Sequence, residues 1–357
     1  MTSPILDKKR PLIIAGPCSA ESREQLLESC TRIAAIEGVD ILRAGVWKPR
    51  TNPNSFEGVG EVALEWLKEA QELTKLPVAT EVASARHAEL ALSYGINTLW
   101  IGARTTVNPF LQQEIASAVA GSDATILIKN PMNPDIDLWS GAVARFEKAG
   151  IPRHRVALVH RGFSTSAQWR YRNDPMWHLA LDMKQRHPDL KMICDPSHIA
   201  GKRHLLQQVA QIAANLNYDG LIIESHCSPD LALSDAQQQI TPDELKTLLN
   251  ALSWRLSESS DQEYMQSLER YRSEIDQIDS EIFELLSRRM RVSDAIGEIK
   301  RNNDVIILQS QRWSEILERV LSRSEELSLS EEFLKSILEA IHIESIEHQN
   351  RIMQEHR

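Results

Sequence analysis

The sequence predicts an α/β protein, a TIM (β/α)8 barrel followed by a separate all-α domain. Three observations predict it. Eight short apolar runs recur before residue 251, with amphipathic stretches between most of them. The runs are continuously apolar, as in parallel strands covered on both faces. From Tyr264 to Arg357 there is no Pro and one Gly, Gly297, so the last quarter has a different texture. The rival open sheet requires G-x-G-x-x-G after the first strand, and no such run follows it.

Taken in order, the strands are "PLIIAG", "VDILRAG", "LPVATEV", "NTLWIGA", "ATILIKN", "RVALVHRG", "LKMICDPS" and "DGLIIESH". Segments such as "SREQLLESCTRIAAIEG", "GEVALEWLKEAQELT" and "KRHLLQQVAQIAANL" supply the crossover helices. Eight units in roughly 250 residues suit a closed barrel. "SESSDQE" is polar and reads as a linker. Beyond it Leu268, Ile275, Ile278, Ile282, Leu285 and Leu286 recur at helical spacing. A second helix is expected over Arg312–Arg323, and a third from Ser330, where "SLSEEF" carries a cap signal. The expected division is barrel 1–253, linker 254–264 and helical domain 265–357. One long helix and two shorter ones enclose little core, so pairing with a second copy is expected.

Composition narrows the function. The 357-residue chain carries a formal net charge of −10, whereas a nucleic-acid binder should be basic. No signal-peptide core and no membrane-length apolar run is visible, so a cytoplasmic location is expected. Cys18, Cys30, Cys194 and Cys227 lack C-x-x-C spacing and are expected to be free thiols, the last three of them packing residues.

In a barrel of this kind the site sits at the C-terminal strand ends. Those ends hold Cys18, Arg43 with Lys48 and Arg50, Glu81, Arg104, Lys129, His160 with Arg161, Asp195 with His198, and Glu224. Arg43, Lys48, Arg50, Arg104, Lys129 and Arg161 make an anion cradle, with Arg as a bidentate fork and Lys as a point charge. So many cations indicate more than one phosphate, or a phosphate with a carboxylate. Cys18, His198, Glu224 and Asp235 together offer thiolate, imidazole and carboxylate to a divalent ion: Mn²⁺ first, with Fe²⁺, Co²⁺ or Zn²⁺ as alternatives.

"AGPCSAES", "LRAGVWKPRT", "ATEV", "IGAR", "LIKN", "HRGF", "DPSH", "IIESH" and "LSDA" occur in order. Over residues 10 to 250 they resemble the motifs of the 3-deoxy-D-arabino-heptulosonate-7-phosphate synthases. The resemblance is to the short, barrel-only form, which is related to the octulosonate-8-phosphate synthases. It implies condensation of phosphoenolpyruvate with erythrose 4-phosphate in aromatic amino-acid biosynthesis (the shikimate pathway). It puts metal ligands at Cys18, His198, Glu224 and Asp235. Phosphoenolpyruvate contacts fall on Arg43, Lys48, Ala103, Arg104, Lys129 and Arg161, with Glu81 nearby and Asp195 also in the substrate set. Lys48, Pro49, Arg50 and Thr51 form the loop that contacts the aldose phosphate. That loop favours the four-carbon sugar over arabinose 5-phosphate, where it reads more like K-A-N-R. Lys48 is expected to protonate the new alkoxide and Glu81 to position water.

The tail "YRSEIDQIDSEIFELLSRRMRVSDAIGEIK" carries R-x-x-I-D-x-I-D, L-L-x-x-R and I-x-x-x-K. Over Leu268 to Gln349 it resembles the all-α chorismate mutases, which rearrange chorismate to prephenate. The resemblance implies active-site residues Arg272, Arg289, Lys300, Arg312, Ser345 and Gln349, a homodimer, and Arg272 supplied by the partner chain. The chain departs from the pattern at Trp313 and Gln309, where many members carry acids. Feedback on the barrel through prephenate or chorismate bound in the tail is a further expectation. A non-catalytic tail used for regulation or dimerisation is the alternative.

Overall fold

The structure is a computed structural model, and it describes residues 6–8, 11–49, 54–165, 170–255, 259–308 and 310–354. It divides into two compact units, Met1–Ser257 and Glu258–Arg357.

The first unit runs β1 (Leu12–Gly16), α1 (Arg23–Ala34), β2 (Ile41–Arg43), α2 (Val62–Thr74), β3 (Val78–Val82), α3 (Ala85–Ser93) and β4 (Thr98–Ile101). It continues α4 (Ala103–Thr106), α5 (Pro109–Val119), β5 (Thr125–Lys129), α6 (Ile136–Lys148), β6 (Val156–His160) and α7 (Trp177–Arg186). It ends β7 (Lys191–Cys194), α8 (Pro196–Ala200), α9 (Leu206–Asn215), β8 (Gly220–Glu224) and α10 (Pro242–Ala251). All eight strands are parallel and each pairs with the next. β8 returns to β1, with Ile14 opposite Ile222, and the barrel is closed.

Strand side chains alternate between two cores, because successive residues point to opposite faces. Leu12, Ile14, Ile41, Ala79, Trp100, Leu127, Ala157, Val159, Ile193 and Ile222 fill the barrel interior. Their neighbours Ile13, Leu42, Val78, Leu99, Ile126, Leu158, Met192 and Ile223 pack outward against the helices. Helix starts are fixed by side-chain caps. Ser22, Ser84 and Asp135 each accept a backbone N–H, and Thr241 with Glu244 forms a full capping box. Each cap contributes about 1 kcal/mol.

The second unit is α11 (Gln262–Asn302), α12 (Ser310–Leu321), α13 (Ser324–Leu327) and α14 (Glu331–Gln354). The second expected helix is displaced by two residues at each end, and a short extra turn, α13, follows it. The third begins where expected, with Phe333 N donating to Ser330 Oγ. α11 packs along α14, and Gly297 permits the contact. A Cβ there would lie 3.2 Å from Gln349 Cα. The N-terminal half of α11 is different: Ile275, Ile278, Ile282 and Leu285 form a stripe and are 47–63 % exposed.

Candidate active sites

The period of two builds the barrel site. The interior residues Ile41, Ala79, Leu127, Val159, Ile193 and Ile222 are each followed two positions later by Arg43, Glu81, Lys129, Arg161, Asp195 and Glu224. The same pleat that fills the interior therefore turns six chemical groups to the barrel mouth. His160 falls on the other phase. Its ring lies outside the barrel, with Nδ1 2.9 Å from Tyr218 Oη and Trp177 edge-on at 5.3 Å. His160 is therefore corrected out of the strand-end ring.

Lys48, Pro49, Glu81, Ala103, Arg104, Lys129, Arg161 and His198 line one cavity of about 70 Å³, together with Gly102, Arg172 and Asp235. A wider cavity of about 440 Å³ shares Arg172 and Asp235 with it and adds Arg170 and Lys202. Gly102 is required by close approach: a Cβ there would meet Glu81 Oε1 at 2.0 Å. Arg43 lies deeper and is fully buried. It donates through Nη2 to Glu224 Oε1 at 3.2 Å, and its Nε and Nη1 find no hydrogen-bond partner among the described residues. Buried donors of this kind are costly unless an acceptor arrives. Beneath the site Trp100 presents its ring to two cations, Arg43 at 4.7 Å and Lys129 at 5.7 Å.

Asp195 organises one wall. It caps α8 through the His198 N–H, accepts from Lys129 Nζ at 2.8 Å, and lies 2.9 Å from His198 Nδ1. Burial would raise its pKa, but His198, Lys129 and Arg43 outweigh burial and hold the carboxyl well below the usual range. Burial lowers His198. Burial also opposes ionisation of Glu224, yet His198, Arg43 and Lys48 hold it below its ordinary value.

The four expected metal ligands form two pairs. Cys18 Sγ is 3.2 Å from Asp235 Oδ2, and His198 Nε2 is 3.9 Å from Glu224 Oε1. Lys48 Nζ donates to Cys18 Sγ and lies 3.8 Å from Asp235 Oδ2. No three His, Cys, Asp or Glu side chains converge on one point among the described residues. Lys48, Arg43 and Arg172 all place positive charge beside these acids. Burial opposes the Lys48 charge, but Cys18, Glu224 and Asp235 raise its pKa above the ordinary value. Cys18 is pushed up to about 12 by burial and by Glu224. Arg50 and Thr51 lie outside the described residues, as does Gln309.

Several residues escaped sequence reasoning. Arg172 donates to Asp235 Oδ1 at 3.0 Å and to Gln238 Oε1 at 2.6 Å. Gln238 in turn donates to Glu224 Oε2 at 2.7 Å. The basic run "RYRN" was the available signal for Arg172. Nothing in the strand sequence marks Trp100 as more than core.

His160 carries a pH prediction. Burial holds its pKa at about 3, so it folds neutral. The unfolded chain binds its proton near pH 6.5, so this contribution is complete above that value and is lost as pH falls toward 3. The slope is about 1.4 kcal/mol per pH unit. In urea melts between pH 7 and 4, His160→Gln will lose stability less steeply than the unaltered chain. Parallel curves would refute a neutral buried His160.

In the helical unit, Arg289, Lys300, Arg312, Ser345 and Gln349 all line one cavity of about 450 Å³. Val292, Ile296, Ile307 and Ile316 supply apolar wall, and Trp313 and His342 complete it. Arg289 Nη1 donates to Ser345 Oγ, and Lys300 Nζ to the Ile307 carbonyl. Gln349 Nε2 donates to Ser293 Oγ at 3.1 Å, and its Oε1 is buried without a partner among the described residues. Arg272 is not in the lining and is exposed on the N-terminal half of α11.

Comparison with known proteins gives two consecutive matches. Residues 5–261 match the family described as DAHP synthetase I, and residues 271–350 match chorismate mutase type II. A phospho-2-dehydro-3-deoxyheptonate aldolase of Thermotoga maritima is 30 % identical over 240 residues, covering 67 % of this chain and 68 % of that protein. A 2-dehydro-3-deoxyphosphooctonate aldolase of Geotalea daltonii is 28 % identical over 267 residues, covering 68 % of this chain and 92 % of that protein. The crystal structure of the Thermotoga maritima DAHP synthase superposes with a TM-score of 0.62 at 29 % identity, over 70 % of this chain and 71 % of that one.

Proposed function

The chain belongs to the DAHP synthetase I family and carries a type II chorismate mutase domain, and from that premise we propose how its residues divide two reactions. The barrel condenses phosphoenolpyruvate with erythrose 4-phosphate, and the helical domain converts chorismate to prephenate. The observation that carries the first reading is the set of cations, Lys48, Arg104, Lys129, Arg161 and Arg172, lining one cavity above a buried Arg43, two of whose nitrogens have no partner among the described residues.

Two anionic substrates repel, and the cradle removes that repulsion while fixing their orientation. Arg104, Lys129, Arg161 and Arg43 hold the carboxylate and phosphate of phosphoenolpyruvate. The loop from Lys48 to Thr51 takes the aldose phosphate. The enol carbon then bonds to the aldehyde carbon while Lys48 gives a proton to the aldehyde oxygen. Water held by Glu81 adds to C2 of the former enol phosphate and gives up a proton, and the C2–O bond to phosphate breaks so that inorganic phosphate leaves with that proton. The thiol, imidazole and two carboxylates of Cys18, His198, Glu224 and Asp235 fit a divalent ion, with Mn²⁺ first. Held by those four residues, such an ion would supply Lewis-acid polarisation to the aldehyde.

In the helical domain Arg289 and Arg312 grip the two carboxylates, and Ser345 supports Arg289. Lys300 and Gln349 donate to the ether oxygen whose bond breaks. The exposed stripe on α11 supports a homodimer in which Arg272 of one chain completes the cavity of the other. We propose residues 254–264 as the linker, its last three residues already forming the first turn of α11. No helix is long and apolar enough to cross a membrane among the described residues, and a cytoplasmic location suits the pathway. Prephenate bound in the tail is proposed to lower the barrel's rate through unequal affinity for two barrel states.

The deciding assay follows phosphoenolpyruvate loss with Mn²⁺ and either erythrose 4-phosphate or arabinose 5-phosphate, then titrates in prephenate. Turnover is expected with the four-carbon sugar, abolished by a chelator and restored by metal, and falling with prephenate. Faster consumption of arabinose 5-phosphate would reassign the acceptor. A rate indifferent to prephenate would remove the feedback reading.

A further inference from the structure

The helical-domain cavity contains an imidazole that neither reaction scheme uses. His342 on α14 stacks on Trp313 of α12, with ring centroids 4.3 Å apart and planes within 20°. Both rings line the cavity that holds Arg289, Lys300 and Arg312. We propose that His342 is a ligand-binding residue of this cavity, donating a hydrogen bond to a carboxylate or hydroxyl of the bound dicarboxylate, with Trp313 as the positioning residue that fixes its ring plane. The inference rests on the reading that the cavity takes such a ligand.

The charges around His342 give the proposal a signature. α11 contributes Arg289 and Lys300, and α12 contributes Arg312, which pairs with Glu315 at 3.1 Å. On α14 the acids nearest in sequence have other partners: Glu339 faces Lys335, and Glu344 faces His348. Among the described residues no Asp or Glu lines the cavity. His342 is therefore a titratable group in a basic chamber, and burial and Arg289 both keep it below the ordinary histidine range. A dicarboxylate beside Arg289 reverses that field and favours the imidazolium. Binding then takes up a proton at His342, and affinity rises as pH falls, by at most tenfold per pH unit for one proton.

The test is calorimetric titration of prephenate into the full-length protein at pH 6.5 and 8.0, each in two buffers of different ionisation enthalpy, with chorismate KM measured over the same range. The expected result is net proton uptake and affinity about three- to tenfold tighter at pH 6.5. His342→Gln, which keeps a hydrogen-bond donor but cannot titrate, should lose the uptake and flatten the dependence of affinity on pH. Trp313→Phe should keep the uptake, and Trp313→Leu should weaken it without changing the melting temperature of the barrel. Equal affinity at both pH values in the unaltered chain, or uptake that persists in His342→Gln, overturns the proposal. Failure to bind prephenate and to turn over chorismate at either pH would instead overturn the dicarboxylate reading, and this inference with it.

Discussion

Lys48→Met will lower synthase turnover by about 10²- to 10⁴-fold, the range for losing a positioned proton donor, while chorismate rearrangement by the same preparation stays within about twofold. The ammonium of Lys48 is buried against Cys18 Sγ, 3.8 Å from Asp235 Oδ2, and at the wall of the substrate cavity. Methionine keeps much of the volume and removes both the charge and the proton. Cys18 and Asp235 then lose the ammonium beside them, while Arg43 still faces Glu224 and Arg172 still faces Asp235. Part of the loss should therefore appear in the phosphoenolpyruvate KM as well as in kcat. The mutase rate reports that the chain is folded in its other unit, and a thermal melt reports on the barrel itself. Turnover within tenfold of the unaltered protein, with the melt unchanged, would remove Lys48 from the chemistry and leave it a structural cation.

Lys300→Ala will cost the mutase about 10²- to 10³-fold in kcat and leave phosphoenolpyruvate consumption unchanged. A pericyclic reaction offers the protein few handles. It must compact the substrate and meet the charge growing on the breaking ether oxygen. Lys300 is the cavity cation whose amine now rests on the Ile307 carbonyl, a neutral partner that a developing oxyanion outcompetes. Arg289, which Ser345 supports, and Arg312 are assigned to the two carboxylates, so neither is free to replace it. Prephenate formation followed by absorbance, with both activities measured on one sample, decides the matter. A mutant that keeps prephenate formation would show that the rearrangement does not run through Lys300.

Much of this was legible before the structure, for a physical reason. A parallel strand buried on both faces must be apolar along its length, so "ATILIKN" or "DGLIIESH" announces itself, and the first polar group after it marks the barrel mouth. Arg43, Lys129 and Glu224 were found in that way. The rule says nothing about phase, which is why His160 was read into the ring when its side chain turns the other way. Contacts made by closure were also hidden. Trp100 meets Arg43 and Lys129 because three strands curve around one axis, and no local pattern encodes that. Arg172 sits in a loop whose composition looks like surface. In the tail, spacing gave the helices and the resemblance gave the basic residues. The pairing of Trp313 with His342 joins two helices and depends on how they pack.

The position of Trp100 has an optical consequence. An indole's emission wavelength follows the electric field along its ring, and two cations lie over this one. An anion that neutralises Arg43 and Lys129 changes that field without touching the ring. The floor of the barrel thus carries its own chromophore for occupancy of the anion cradle, set in β4 two residues before Gly102, whose missing Cβ gives Glu81 its room.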